Sequence, residues 1–130
     1  MLKRLFYDFT MDNKAISKKF LQLVSLGHVH QAYETFVSPD LVHHNQYFEG
    51  DRDSLFKAMA DDSRQNLNRS FTVKQSIEEG DKVVTYSHVV KTSMEIAVVH
   101  IFRIRDGKII ELWDVGQIMD EGSPNQHGLF

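Results

Sequence analysis

The hydrophobic period of the chain changes near Asn68, and this change limits the folds that the sequence can adopt. Before Asn68, apolar residues recur every three or four positions, as in amphipathic helices. After it, apolar and polar residues alternate, as in strands that bury one face. Turn signals at residues 79–82 and at Asp106-Gly107 divide this second half. Helices followed by an antiparallel meander predict an α+β fold rather than alternating βαβ units.

The first half predicts four helices, each with an apolar face. These faces are Leu2, Leu5, Phe6 and Phe9; then Ile16, Phe20, Leu23 and Val24; then Ala32, Tyr33, Phe36 and Val37; and finally Leu55, Phe56 and Met59. Caps and breaks mark the helix ends: Asp12 or Asn13 before the second helix, Gly27 after it, the Ser38-Pro39-Asp40 turn after the third, and Asp51 or Asp53 before the fourth.

The second half predicts strands around residues 71–77, 83–92, 96–105 and 108–117. The last hairpin permits two registers. A two-residue loop at Asp106-Gly107 pairs Arg105 with Lys108, whereas a type I turn with Gly107 as a left-handed bulge pairs Ile104 with Lys108. We favour the bulged register because it separates charged side chains from the core.

The bulged register gives this hairpin two different faces. The apolar face carries Val98, His100, Phe102, Ile104, Ile110, Leu112 and Asp114. The amphipathic face carries Val99, Ile101, Arg103, Arg105, Ile109, Glu111, Trp113 and Val115.

Two polar residues, His100 and Asp114, stand out on the apolar face, close to opposite each other on neighbouring strands. A carboxylate buried there needs a partner or a raised pKa, and either condition suits general acid–base chemistry. The alternative is a buried structural pair without any catalytic role. His88 shares its parity with Val84, Tyr86 and Val90, so we expect it to face the same interior.

Composition narrows the classes of function. A chain of 130 residues with 42% hydrophobic content fits one domain, residues 1–130, in which residues 1–12 form a loosely packed extension. The net charge of −3 argues against a nucleic-acid or polybasic membrane surface. The absence of cysteine excludes thiolate chemistry and leaves seven histidines. The N-terminus has no apolar signal region, so we expect a cytoplasmic protein.

Residues 98–117, which read VVHIFRIRDGKIIELWDVGQ, resemble the SnoaL-like polyketide cyclase group of the nuclear-transport-factor-2-like superfamily. His44-Asn45 and the C-terminal Ser123-Pro124-Asn125 add to the resemblance, which extends from about Asn13 onward. It implies a cone-shaped, curved antiparallel sheet that wraps around N-terminal helices and encloses a pocket. It also implies a homodimer formed through the outer sheet face, which carries Val99, Ile101, Trp113 and Val115.

The resemblance also implies roles for individual residues. Cyclases of this group use an Asp on the last long strand as the acid/base of an aldol condensation, assisted by a His on the preceding strand and an Asn from the helical half. Asp114, His100 and Asn45 occupy the matching positions. Leu112 stands where relatives often have His, which makes the expected cavity more apolar.

Two functions follow as competing hypotheses. The first is a cofactor-free acid/base enzyme acting on a small apolar carbonyl compound, with Asp114 and His100 catalytic and with substrate-binding residues His44, Asn45, His88, Tyr47, Phe56, Met59, Phe102 and Leu112. The second is a homodimeric domain that binds a small ligand without catalysis. A metal site built from His43 or His44, His88, His100 and Asp114 is a weaker alternative, because no spacing demands it.

Overall fold

The computed structural model describes residues 11–130. The helix predicted at residues 2–9 therefore lies outside the described residues. The described chain runs through three helices and five strands, and the predicted α+β class is confirmed. In chain order these elements are α1 Asn13–Ser25, α2 Val29–Phe36, β1 Val37–His44, α3 Arg52–Gln65, β2 Asn68–Glu79, β3 Lys82–Lys91, β4 Glu95–Arg105 and β5 Lys108–Ile118.

Aspartate caps begin two of the helices, as the sequence predicts. The side chain of Asp12 accepts a hydrogen bond from the backbone N–H of Ala15 at 2.8 Å and starts α1. Asp51 accepts from the N–H of Ser54 at 3.0 Å and starts α3. Each cap pairs a helix N–H that has no partner within the helix. After α1, Gly27 adopts a φ of 86°, which only glycine adopts without strain.

Strand β1 corrects the prediction for residues 38–40. Ser38-Pro39-Asp40 was expected to form a turn but lies within β1. The strand order is β1-β5-β4-β3-β2, so β1 is an edge strand and tolerates Pro39, which cannot donate to a neighbour. Strand β1 also runs parallel to β5, whereas β2 to β5 form the predicted antiparallel meander. The curved, unclosed sheet is therefore mixed rather than purely antiparallel.

The hairpin between β4 and β5 closes with a two-residue loop. Arg105 pairs with Lys108, and both Asp106 and Gly107 have positive φ, 51° and 76°. A loop with two positive φ angles matches the twist of the flanking strands. The predicted bulge at Gly107 is therefore wrong.

A bulge nevertheless exists three residues further along, at Ile110. The register shifts between the pairs Ile104–Ile109 and Arg103–Glu111, which leaves Ile110 without a partner. This shift buries Ile109 and leaves Ile110 half-buried, the reverse of the prediction. Beyond the bulge the predicted faces hold, and Arg103 lies 3.2 Å from Glu111 as expected.

The helices cover one face of the sheet, which we call the inner face. Phe20 of α1 joins the layers, since its ring contacts those of Tyr33 in α2 and Phe102 in β4 at centroid distances of 5.9 and 6.0 Å. We call the opposite side the outer face. In the described part of the chain, no helix has the length and apolarity needed to cross a membrane.

The inner face of β3 differs from the prediction. Its buried residues are Val83, Thr85, Ser87 and Val89, whereas His88 lies on the outer face. Valines occur at both parities of this strand, so hydrophobicity alone could not select the buried one. Pairing with β4 decides which side of β3 is buried, because Thr85 lies directly opposite the buried His100.

The observed bulge can be tested through the two neighbouring isoleucines. We expect Ile109→Ala to lower the free energy of unfolding by about 2–5 kcal/mol, because it removes a fully buried side chain. The matched variant Ile110→Ala should cost roughly 1 kcal/mol, because less apolar surface is buried there. Urea denaturation measures both values. A larger loss for Ile110→Ala would support the register that the sequence suggested.

Candidate functional site

A groove of about 370 Å³ lies between the inner face of the sheet and helices α1 and α3. Most of its lining is apolar, and His100, Asp114 and Asn45 also line it. The apolar side chains are Leu21, Val24, Phe48, Leu55, Ala58, Met59, Phe71, Val89, Ile96 and Val98. A mainly apolar cleft with a few convergent polar groups is the usual form of a small-molecule site.

His100 and Asp114 are directly opposite each other on β4 and β5. The ring of His100 is 8% exposed and stacks on Phe102 at a centroid distance of 5.9 Å. This burial lowers the pKa of His100 to about 4, against the opposing effect of the Asp114 charge, which favours the imidazolium. His100 is therefore a neutral imidazole at pH 7.

Asn45 fixes the carboxyl group of Asp114. Its Nδ2 donates a hydrogen bond to Oδ1 of Asp114 at 2.6 Å. Its own Oδ1 accepts from the backbone N–H of Tyr47 at 2.9 Å, which sets the orientation of the amide. Within residues 11–130, no hydrogen bond is made to the other carboxyl oxygen, Oδ2. The three residues that the resemblance matched to cyclase positions thus come together.

His44 lies on the outer face and does not line this groove; it lines a second cavity of about 380 Å³ together with Asn45 and Asp114. Its Nε2 is 2.7 Å from Oε2 of Glu111, and its ring stacks on Trp113 at 4.9 Å. The preceding residue, His43, takes the inner position opposite Leu112. Because strand β1 was not predicted, no alternation of faces was available to separate the two histidines.

His88 also lies outside the groove, because it belongs to the outer parity of β3. Its Nε2 is 2.7 Å from Oε1 of Glu95, and Phe130 packs against its ring at 5.0 Å. Tyr86 makes a second contact with this C-terminal segment, since its hydroxyl donates to the carbonyl oxygen of Leu129 at 2.5 Å. The prediction that His88 faces the interior is wrong.

The remaining predicted lining residues divide between groove, core and surface. Met59 lines the groove. Phe102 and Leu112 are fully buried in the core, and Phe56 packs edge-on against Tyr33 in the helical layer. Tyr47 is 77% exposed and lines the second cavity, of about 380 Å³, with His44, Asn45 and Asp114.

Lys91 is a groove residue that the sequence did not reveal. Its ammonium group donates to Oδ2 of Asp62, the carbonyl oxygen of Asn66 and Oδ1 of Asn68, at 2.9 to 3.1 Å. These partners join the end of α3 and the start of β2 to the end of β3. They lie 23 to 29 residues away in the chain, so no local pattern signals the cluster.

The proposed metal ligands do not converge. His43 and His100 lie on the inner side of the sheet, whereas His44 and His88 lie on the outer side. In the part of the chain that the structure describes, no group of three His, Asp or Glu residues is placed to hold a metal ion.

Comparison with known protein families identifies the family of this chain. The model of the SnoaL-like domain family matches residues 18–112, and the chain belongs to that family. The predicted resemblance to the SnoaL-like group is confirmed, and the match ends two residues before Asp114. No curated protein matches the chain significantly in sequence.

Solved structures of nuclear-transport-factor-2-like proteins share the fold. An NTF-2-like protein of unknown function from Burkholderia xenovorans has a TM-score of 0.68 and 17% identity over 85% of this chain and 87% of its own. A candidate ketosteroid isomerase from Kribbella flavida has a TM-score of 0.65 and 14% identity over 87% and 84%. IdmH, a candidate polyketide cyclase from Streptomyces antibioticus, has a TM-score of 0.60 and 18% identity over 78% and 91%.

The lowered pKa of His100 predicts a pH dependence of stability. Between about pH 6.5 and 4 the unfolded chain binds a proton at this position and the folded chain does not. His100 therefore makes the free energy of unfolding decrease as the pH falls through this window, by at most about 1.4 kcal/mol per pH unit. In His100→Gln this contribution should be absent. Urea denaturation of both proteins from pH 7 to 4 measures it, and parallel curves would contradict the assignment.

Proposed function

We propose that the protein is an acid/base enzyme that moves a proton next to the carbonyl group of a small apolar compound. One observation carries this proposal: at the groove, the Asp114 carboxyl group is held by Asn45 directly opposite a neutral, buried His100. A positioned carboxylate beside a neutral hydrogen-bond donor supplies the two groups that enolisation requires.

The chemistry begins with a proton transfer to Asp114. Asp114 takes the proton from the carbon next to the carbonyl, and the C–H electron pair moves to form an enolate. The N–H of His100 donates a hydrogen bond to the enolate oxygen, where negative charge develops. Asp114 then returns the proton to a carbon, which completes an isomerisation. Alternatively, the enolate carbon attacks a second carbonyl carbon, so that a C–C bond forms and the C=O π bond breaks. Asp114 then gives its proton to the resulting alkoxide, which completes an aldol ring closure.

The groove limits the substrate class. Its volume of about 370 Å³ is within the range of roughly 300–1,000 Å³ that is typical of small-molecule sites. Most of its lining side chains are leucine, valine, isoleucine, methionine, alanine and phenylalanine, and Lys91 in the groove is already paired with Asp62. An apolar ring compound with one or two carbonyl groups matches this lining better than a sugar or a phosphorylated metabolite.

The proposal can be tested by deuterium exchange of a panel of apolar cyclic ketones in D₂O, followed by NMR. We expect Asp114→Asn to lower the exchange rate by about 10²–10⁴-fold, the usual contribution of a general base. The asparagine oxygen can still accept the hydrogen bond from Asn45, so the fold should be retained. Asp40→Asn is the matched control, because Asp40 is exposed on edge strand β1 away from the groove.

Two outcomes would contradict catalysis by Asp114. Equal exchange rates for Asp114→Asn and Asp40→Asn would exclude it as the base. Saturable binding of the ketones without exchange above the buffer rate, unchanged in Asp114→Asn, would instead support the non-catalytic ligand-binding domain.

We also propose that the protein forms a homodimer through the outer face of the sheet. Val99, Ile101 and Trp113 are half-buried there, and Val115 is 72% exposed. Apolar side chains grouped on one sheet face around a tryptophan are typical of protein interfaces.

Sedimentation velocity tests this dimer. We expect wild-type protein to be dimeric at micromolar concentration and Val115→Lys to weaken the dimer about tenfold or more, because it places a charge in an apolar contact. Leu67→Lys, at an exposed leucine between α3 and β2, is the matched control. A wild-type monomer would contradict the proposal.

A further inference from the structure

At one end of the groove, both of its helices are tied to the sheet by hydrogen bonds. The ammonium group of Lys91 in β3 donates to Asp62 in the last turn of α3 and to the carbonyl oxygen of Asn66 just after that helix. It also donates to Oδ1 of Asn68, the first residue of β2. Nδ2 of Asn68 donates to the carbonyl oxygen of Ser25, the last residue of α1, at 3.3 Å. We call these five residues the Lys91 cluster.

The Lys91 cluster lies at the far end of an apolar floor that begins at His100. Four members of the cluster line the groove. On β4, the groove-lining residues that lead away from His100 are Val98 and Ile96. Val89 is directly opposite Ile96 on β3, and Lys91 is the next groove-lining residue of that strand. A strand rises about 3.3 Å per residue, so the floor from His100 to Ile96 is about 13 Å long.

The cluster closes this end of the groove and offers no free donor to a ligand. The Lys91 side chain is 12% exposed, and its three N–H donors are matched by three acceptors. An apolar ligand that displaced the ammonium group would leave a nearly buried charge and its acceptors unpaired, which is costly. The paired lysine is therefore a wall rather than an anion site.

We infer that Lys91 is a specificity-determining residue, which limits how far a ligand can extend from the His100–Asp114 pair. This inference rests on the proposed function, because that function places the ligand carbonyl group at the pair. The ligand class is then a cyclic ketone whose apolar part fits over the floor between His100 and Lys91. Ketones with long alkyl chains are excluded by the wall.

A series of 4-alkylcyclohexanones with increasing chain length tests this limit by NMR titration of the ¹⁵N-labelled full-length protein. While the chain lies over the apolar floor, we expect the affinity to rise about fourfold for each added methylene group. Once the chain meets Lys91, further methylene groups should give no gain. The wild-type series alone shows whether the groove has such a limit, so this result does not depend on any variant folding.

Lys91→Ala identifies the residue that sets the limit. Removal of the lysine stem opens the wall, so the limit should move to longer chains. The first ketone beyond the wild-type limit should bind the variant about fourfold or more tightly than it binds the wild type. Lys91→Arg, which keeps a long cationic side chain, should not move the limit to longer chains. Lys57→Ala is the matched control, because Lys57 is exposed on α3 and does not line the groove.

An affinity that keeps rising with chain length in the wild type would overturn the inference. An unchanged limit in Lys91→Ala, or the same shift in Lys57→Ala, would also overturn it. If no ketone of the series binds, the inference and the proposed function both fail. If Lys91→Ala moves the limit but Asp114→Asn exchanges ketones at the wild-type rate, only the proposed function fails. If Asp114→Asn abolishes exchange but Lys91→Ala leaves the limit unchanged, only the inference about Lys91 fails.

Discussion

The direct pairing of His100 with Asp114 across β4 and β5 is the contact on which the site depends. It exists because one extra residue, Ile110, is accommodated in β5 between the hairpin loop and the site. Without this bulge, the two-residue loop would place Asp114 on the outer face, since a shift of one residue reverses every side chain of a strand. The hairpin loop, the bulge and the pair therefore form one structural unit.

Burial gives the two members of the pair different properties. The helices and Phe102 enclose His100, so desolvation keeps its ring neutral. Asp114 is only half-buried and is held by the amide of Asn45, which follows edge strand β1. The parallel pairing of β1 with β5 brings that amide to the carboxyl group. A neutral donor and an oriented carboxyl group thus meet at the apolar groove.

Sequence reasoning succeeded where one face of an element is clearly more apolar than the other. The helix caps at Asp12 and Asp51 and the shared face of His100 and Asp114 followed from local pattern. It failed for His88 because β3 carries valines at both parities. It also missed strand β1, because Pro39 suggested a turn and hid an edge strand. Lys91 could not be found, since its partners lie far from it in the chain.

An NMR pH titration of His100 tests the central claim most directly, because it measures the charge state of the residue opposite Asp114. The ring ¹³C–¹H or ¹⁵N signals of His100 would be followed from pH 8 to pH 3.5. We expect His100 to remain neutral down to about pH 4. A His100 transition close to the ordinary histidine value of about 6.5 would contradict a buried neutral donor and the site built on it.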